Sequence, residues 1–147
     1  NNYRAILLKI SPDLPLDMVD QMVEILIDTP LDGLVATNTT TSREGLKTSP
    51  KTIGSIGNGG LSGAPLTERY IEMVKYLSKK TEGHYPIIGV GGVMSPEDAQ
   101  RMLDAGASLV QVYSGFIYEG PAFAKRICKH VKETAEKRES DKAKTQK

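Results

Sequence analysis

An α/β fold with a parallel sheet is predicted by two features of the chain. Four short apolar runs, AILLKISPD, GLVATNTTT, PIIGVGGVMS and LVQVYSGF, each break off into small or polar residues. Helical apolar spacing follows each run. Strands alternating with helices through short, right-handed crossovers make a parallel sheet, and four such units are half of an eightfold barrel. A buried parallel strand is apolar on both faces, so polar groups gathered at its carboxyl end are expected to serve a ligand rather than packing. Lys9, Asn38, Gly92 and Ser114 hold that place in the four units. The fold class predicted is therefore the carboxyl-terminal half, four βα units, of a (β/α)8 TIM barrel over 1–137, with 138–147 as a frayed or disordered tail.

The elements follow in order. After the first strand a helix is expected from about Pro15, with Met18, Val19, Met22, Val23 and Leu26 as a stripe at spacings of three and four, ending before Pro30. The second strand is expected over 33–39. A glycine-, serine- and threonine-rich stretch over 43–63 follows, too long for an idle connection, and is expected to act as a lid or ligand contact. The second helix follows Pro65 with Tyr70, Ile71, Val74 and Leu77 as its apolar face and stops at Gly83. The third has the clearest start signal, Ser95 as N-cap, Pro96 at the first helical position and Asp98 three residues after the cap, and Gly106 closes it. Gly120 and Pro121 open the last helix, in which Phe123, Ile127 and Val131 recur every four residues. Beyond Lys137 charges are mixed and no apolar stripe continues. Acidic residues interrupt the lysines there, which weighs against a nucleic-acid tail.

An open doubly wound sheet would carry G-x-G-x-x-G directly after the first strand, where this chain has KISPDLP. Its glycine pair, Gly91 and Gly92, follows the third strand instead, and a second small-residue turn, Ser114 and Gly115, follows the fourth. Loops after the last two strands of (β/α)8 barrels commonly hold a phosphate, because backbone N–H groups converge there. A tight strand exit would use the same glycines; two such turns together favour the anion. Alternation along the first strand puts Leu7 and Lys9 on one side, so the ammonium is expected to point into the barrel mouth as a fixed positive charge for a developing anion, although a lysine at a strand end is often merely solvated. Thr37, Asn38, Thr39 and Thr40 offer carboxamide and hydroxyl groups for a polar ring, although an Asx or threonine turn uses the same residue types.

The bulk properties exclude little. The chain has 147 residues, 39% hydrophobic and 25% charged, with a formal net charge of +1 that gives no reason to expect nucleic acid or another polyanion. Its one cysteine, Cys128, rules out an internal disulfide and reads as a packing residue on a helix. No apolar stretch approaches the roughly 20 residues that span a bilayer, and the amino end has no secretory-signal pattern. His84 is expected at the face opposite the strand carboxyl ends and His130 on the outer last helix; no metal-ligand spacing is present.

The segments LLKISPDL, GLVATNTTTSREGL, NGGLSGAPL, PIIGVGGVMSPEDA and AGASLVQVYSGFIYEGP, spread over about 5–131, resemble the carboxyl-terminal half of class 2 dihydroorotate dehydrogenase. No single motif is decisive; their order and the pairing of TNTT with GGLSG make the match specific. What the resemblance implies is a barrel with FMN at its mouth, oxidising dihydroorotate to orotate in pyrimidine biosynthesis with quinone as acceptor, the complete protein lying peripherally at the cytoplasmic face of a membrane. Lys9 matches the lysine beside the flavin ring, Thr37 a flavin contact, and Asn38 and Thr39 the residues that hydrogen-bond the pyrimidine substrate. Gly63, Gly92, Tyr113 and Ser114 match FMN contacts, and Gly91 joins Gly92 in the cofactor set. The serine base of the family belongs to the first half of the barrel, as do further substrate-clamping asparagines. Ser11, Ser42, Ser62 and Ser114 are not at its motif, so no catalytic base is assigned within this chain. A different phosphate-binding barrel without flavin, or a non-catalytic half-barrel that dimerises to cover its sheet edges, are the rival readings.

Overall fold

A computed structural model describes residues 3–145. Four parallel strands, β1 (Leu7–Ile10), β2 (Gly33–Ala36), β3 (Ile87–Val90) and β4 (Leu109–Gln111), lie side by side in the order of the sequence. Each crossover places helices on one face: α1 (Leu16–Asp28) after β1, α2 (Pro50–Ile56) and α3 (Thr67–Lys80) after β2, α4 (Pro96–Asp104) after β3, and α5 (Ser114–Glu119) and α6 (Phe123–Thr145) after β4. Unbroken sequence order with parallel pairing throughout is the arrangement of successive units in a barrel wall, as the sequence predicts.

The register divides the sheet into two unlike faces. Leu8, Leu34 and Ile87 pair across it, as do Ile10, Ala36, Gly89 and Val110, and this face packs on the helices. Val19, Val23 and Leu26 of α1, Tyr70, Met73, Val74 and Leu77 of α3, Ala99 and Met102 of α4, and Phe123 of α6 complete that core. Leu26, Leu34 and Leu77 are fully buried, and each such side chain stabilises the fold by about 1.5–3 kcal/mol. The opposite row, Lys9, Val35, Ile88 and Leu109, is also in register but has no helix over it, and Leu109 is 62% exposed. In a closed barrel this row is the interior. Here it is an open, mostly apolar wall with Lys9 at the carboxyl end of β1.

Most expected helix ends are found, for the anticipated reasons. Ser95 Oγ accepts from the Asp98 N–H at 3.0 Å, and Pro96 opens α4. Asp98 reaches back one residue further than a capping box does, accepting from the Met94 N–H at 3.1 Å. The apolar stripe of α1 is narrower than its spacing suggested: Met18 is exposed and Met22 only partly buried.

Four further features differ from expectation. The stretch after β2 holds a helix, α2, capped by Ser49, whose Oγ accepts from the Thr52 N–H at 3.2 Å, with Pro50 at its first position. The turn after β4 continues directly into α5. Cys128 is exposed rather than packed. The last helix runs to Thr145 instead of fraying at 138, while residues 146–147 of the expected tail lie outside the described residues. Arg138 anchors it through a two-pronged contact with Asp104 at the end of α4, at 2.8 and 2.7 Å, and Lys144 pairs with Asp141 one turn earlier along the helix surface.

Candidate functional site

At the carboxyl ends of the strands the exits converge on a cleft of about 410 Å³. Nine residues singled out from the sequence line it: Lys9 from β1, Thr37, Asn38 and Thr39 from the β2 exit, Gly63 from the loop before α3, Gly91 and Gly92 from the β3 exit, and Tyr113 and Ser114 from the β4 exit. Thr40, offered with them as a hydroxyl for a ligand, does not: it is buried and its hydroxyl donates to Asp13. Tyr70, Ser62 and Gln111 line it too and were not anticipated as site residues.

The β2 exit is held by its backbone, leaving its side chains to the cleft. The Thr37 N–H donates to the Val90 carbonyl at 3.0 Å and the Asn38 N–H to the Ile10 carbonyl at 2.9 Å, so the chain is fixed to both neighbouring strands. The Thr39 N–H donates to Asn38 Oδ1 at 2.8 Å, which identifies the other terminal atom of that carboxamide as the amide nitrogen. Among the described residues that Nδ2 has no acceptor. Asn38 is solvent-exposed, so two N–H donors face the cleft for an incoming oxygen.

The β3 exit presents backbone rather than side chains. Gly91 and Gly92 have φ of 108° and 70°, a region that favours glycine. A Cβ on Gly92 would come within 2.5 Å of the Thr67 Cα, whose hydroxyl donates to the Gly92 carbonyl at 2.6 Å. Only glycine lets this loop pass so close to the start of α3. The N–H groups of Gly91 and Gly92 find no acceptor among the described residues, so they are available to an anion. Ser62 and Ser114 hydroxyls meet at 2.9 Å, joining the loop before α3 to the β4 exit and closing that side of the cleft.

A cluster outside the cleft fixes its rim. Asp13, just after β1, accepts from the Thr40 hydroxyl, from the Thr41 N–H at 2.8 Å and from the Thr41 hydroxyl at 2.9 Å, and Arg69 of α3 stands 3.4 Å away. Thr40 also bridges to Leu61, and Arg43 donates to the carbonyls of Thr40, Thr41, Ser42 and Gly59, so the long loop is folded back on the β2 exit. The hydrogen bond from Thr40, then the one from the Thr41 N–H, hold the Asp13 carboxyl below its ordinary range, with Arg69 adding to the effect against partial desolvation. A carboxyl depressed in the folded state binds fewer protons than in the unfolded chain, so its contribution is present above the ordinary carboxylate range, near pH 4, and is lost as pH falls through the folded value. Asp13→Asn is expected to lower stability by about 1 kcal/mol at pH 7, since the group is partly exposed and screened. Thermal melts of the two chains at pH 7 and pH 3 should show this difference shrinking in acid. A difference that stays constant would mean the charge is not what holds the rim.

Neither histidine joins the cleft: His84 is exposed in the turn before β3, and His130 lies 3.5 Å from Glu97 on the outer helices. Among the described residues no group of three or more His, Cys, Asp or Glu side chains is placed to hold a metal. No helix among them is long and apolar enough to cross a membrane.

Comparison with known proteins bears on this geometry. The sequence model of the family described as dihydroorotate dehydrogenase matches residues 1–134. The chain is 45% identical over 141 residues to a protein named dihydroorotate dehydrogenase (quinone) from Kineococcus radiotolerans, covering 96% of this chain and 38% of the relative. It is 53% identical over 124 residues to the protein of the same name from Christiangramia forsetii, covering 84% of this chain and 35% of the relative. Among solved structures it is similar to DHODH from Eimeria tenella in complex with ferulenol, with a TM-score of 0.78 and 38% identity over 86% of this chain and 33% of that one. The ligand-free form superposes with a TM-score of 0.80 at 36% identity, covering 88% of this chain and 35% of that one. The chain thus spans little more than a third of the length of the relatives it matches. With the four parallel units, the strand-end cleft and these matches all agreeing, the chain belongs to the dihydroorotate dehydrogenase family, in the class 2 group whose members carry the quinone designation.

Proposed function

We propose that the complete protein to which this chain contributes oxidises dihydroorotate to orotate in pyrimidine biosynthesis, with FMN as cofactor and a quinone as electron acceptor. The observation that carries this reading is the pairing, in one cleft, of a free carboxamide donor on Asn38 with the unpartnered backbone N–H groups of Gly91 and Gly92. The first suits a polar ring and the second an anion such as a phosphate. FMN fits these residues: its phosphate would be held by the Gly91–Gly92 and Tyr113–Ser114 exits and Gly63, with Lys9 and Thr37 toward its ring. When bound, FMN supplies a two-electron acceptor.

What the chain itself does is bind, orient and stabilise charge. Lys9, at the end of β1 on the open face and without an ion pair among the described residues, provides a fixed positive charge in the cleft. Negative charge developing near it is stabilised without the reorganisation that water would need. Asn38 Nδ2 and the Thr39 hydroxyl hold the substrate ring. The resemblance implies that the proton leaving dihydroorotate goes to a serine base in the part of the family's barrel that this chain does not span. Tyr113 and, on α5, Phe116, Ile117 and Tyr118 are all exposed, which places an apolar surface next to the cleft. An apolar acceptor such as a quinone is compatible with that surface; on this reading the complete protein lies peripherally on a membrane to reach a lipid-dissolved quinone, and the resemblance implies the cytoplasmic face.

The test is a completed barrel, in which this whole chain is joined to the amino-terminal part of the Christiangramia forsetii relative. It should be yellow and reduce a dye or quinone analogue only when dihydroorotate is present. A structure of it should place the FMN phosphorus within hydrogen-bond reach of the Gly91–Gly92 and Tyr113–Ser114 backbones. A colourless protein, or an anion held only near His84, would overturn the reading in favour of a barrel without flavin.

A further inference from the structure

Tyr70 sits in the middle of α3 among Met73, Val74 and Leu77, where the periodicity asks only for an apolar side chain. Phenylalanine would fill the same space. The hydroxyl is what needs explaining, and it donates to the Asn38 carbonyl at 2.6 Å from a side chain only 1% exposed. The ring meanwhile lies against the glycine pair: a Cβ on Gly91 would approach Tyr70 Cδ2 and Cε2 to 2.3 Å. Tyr70 therefore touches both the substrate side and the anion side of the cleft.

The bond to Asn38 acts through a planar peptide. The Asn38 N–H is tied to the Ile10 carbonyl, so a bond to the Asn38 carbonyl fixes the next peptide plane, from Asn38 to Thr39. The N–H of that plane is the one that donates to Asn38 Oδ1 at 2.8 Å. Turning the plane would release the carboxamide. We infer that Tyr70 is a positioning residue for the substrate: it sets the Asn38–Thr39 peptide, which holds the Asn38 carboxamide with its Nδ2 facing the cleft. Thr37 Oγ1 also reaches the Asn38 carbonyl, at 3.1 Å, a longer contact made from the neighbouring residue. Burial pushes the Tyr70 phenol above its ordinary range, so it remains a neutral donor at working pH.

This inference rests on the function proposed above, and the experiment separates the two. In the completed barrel, Tyr70→Phe keeps the ring against Gly91 and removes only the hydroxyl. The KM for dihydroorotate and the dissociation constant of orotate, read from its perturbation of the flavin absorbance, should each rise roughly 5- to 20-fold. FMN per protein and kcat should stay within about twofold, because neither the anion side nor the reacting groups are touched. Tyr70→Ser, which removes the ring as well, should lower FMN retention too. A Tyr70→Phe protein that melts at a lower temperature but binds orotate as the parent does would reduce Tyr70 to a packing residue. One that loses flavin with unchanged orotate binding would assign it to the cofactor side. A parent that shows neither turnover nor orotate binding overturns the proposed function and this inference together.

Discussion

Asn38→Ala, introduced into the completed barrel, is expected to weaken dihydroorotate binding or turnover by one to two decades while FMN per protein is little changed. The main-chain bonds that place residue 38, to Ile10 and from Tyr70, do not involve its side chain and survive the substitution. What is lost is the Nδ2 donor, together with the Oδ1 acceptor for the Thr39 N–H. A substrate oxygen buried without its partner costs about 1–3 kcal/mol, and a site built to hydrogen-bond a group discriminates strongly when either partner is missing. Asn38→Asp separates the two losses, since it retains an oxygen for the Thr39 N–H but replaces the donor by a charged acceptor. It should bind orotate, itself an anion, more weakly than the alanine variant does. Loss of flavin with unchanged kinetics per bound flavin would instead give Asn38 to the cofactor.

The architecture was legible because it is written in local patterns. Continuous apolar runs with polar ends announce parallel strands, and the Ser95-Pro96 start of α4 can be read letter by letter. The same signal, Ser49-Pro50, stands before α2 inside a segment whose glycine and threonine content reads as loop; two residues of capping chemistry are better evidence there than the composition of the segment. The continuation of α6 was hidden for a different reason. Its last turns have no apolar stripe, and the contact between Arg138 and Asp104 spans 34 residues of sequence, a distance over which pairing of surface charges cannot be read from pattern. The candidate site was legible at the strand ends, because position after a strand is a local property. Lys9, Asn38, Gly92 and Ser114 were placed in this way, and they line one cleft. Tyr70 was not found, because periodicity explains a buried aromatic residue in a helix and says nothing of where its hydroxyl goes. Ser62 likewise reaches the cleft only through the fold, by its contact with Ser114, whereas Gln111 is the last residue of β4 and its polar side chain inside the run LVQVYSGF is a local signal that could have found it.

The isolated 147-residue chain is expected to fold locally but neither to oxidise dihydroorotate nor to retain FMN tightly. Its core is one-sided: helices cover one face of the sheet, while Val35, Ile88 and Leu109 look out on the other, and β1 and β4 each have an unpaired edge. Bare parallel edges beside an apolar face favour self-association. Half of a ligand's surroundings would be solvent, where the Lys9 charge is screened and the Asn38 donors are satisfied by water as well as by a substrate. Without a positioned base, proton removal loses typically 10²- to 10⁴-fold of its catalysis, and the missing substrate contacts add to that loss. A dihydroorotate-dependent dye-reduction assay with added FMN should therefore read background for this chain alone. Activity should appear when a separately expressed amino-terminal half is supplied, with a sizing column showing the self-associated chain give way to a one-to-one complex. Turnover by the isolated chain near the rate of the completed barrel would place a base among its own residues, and Ser11, Ser42, Ser62 and Ser114 would be the first to substitute.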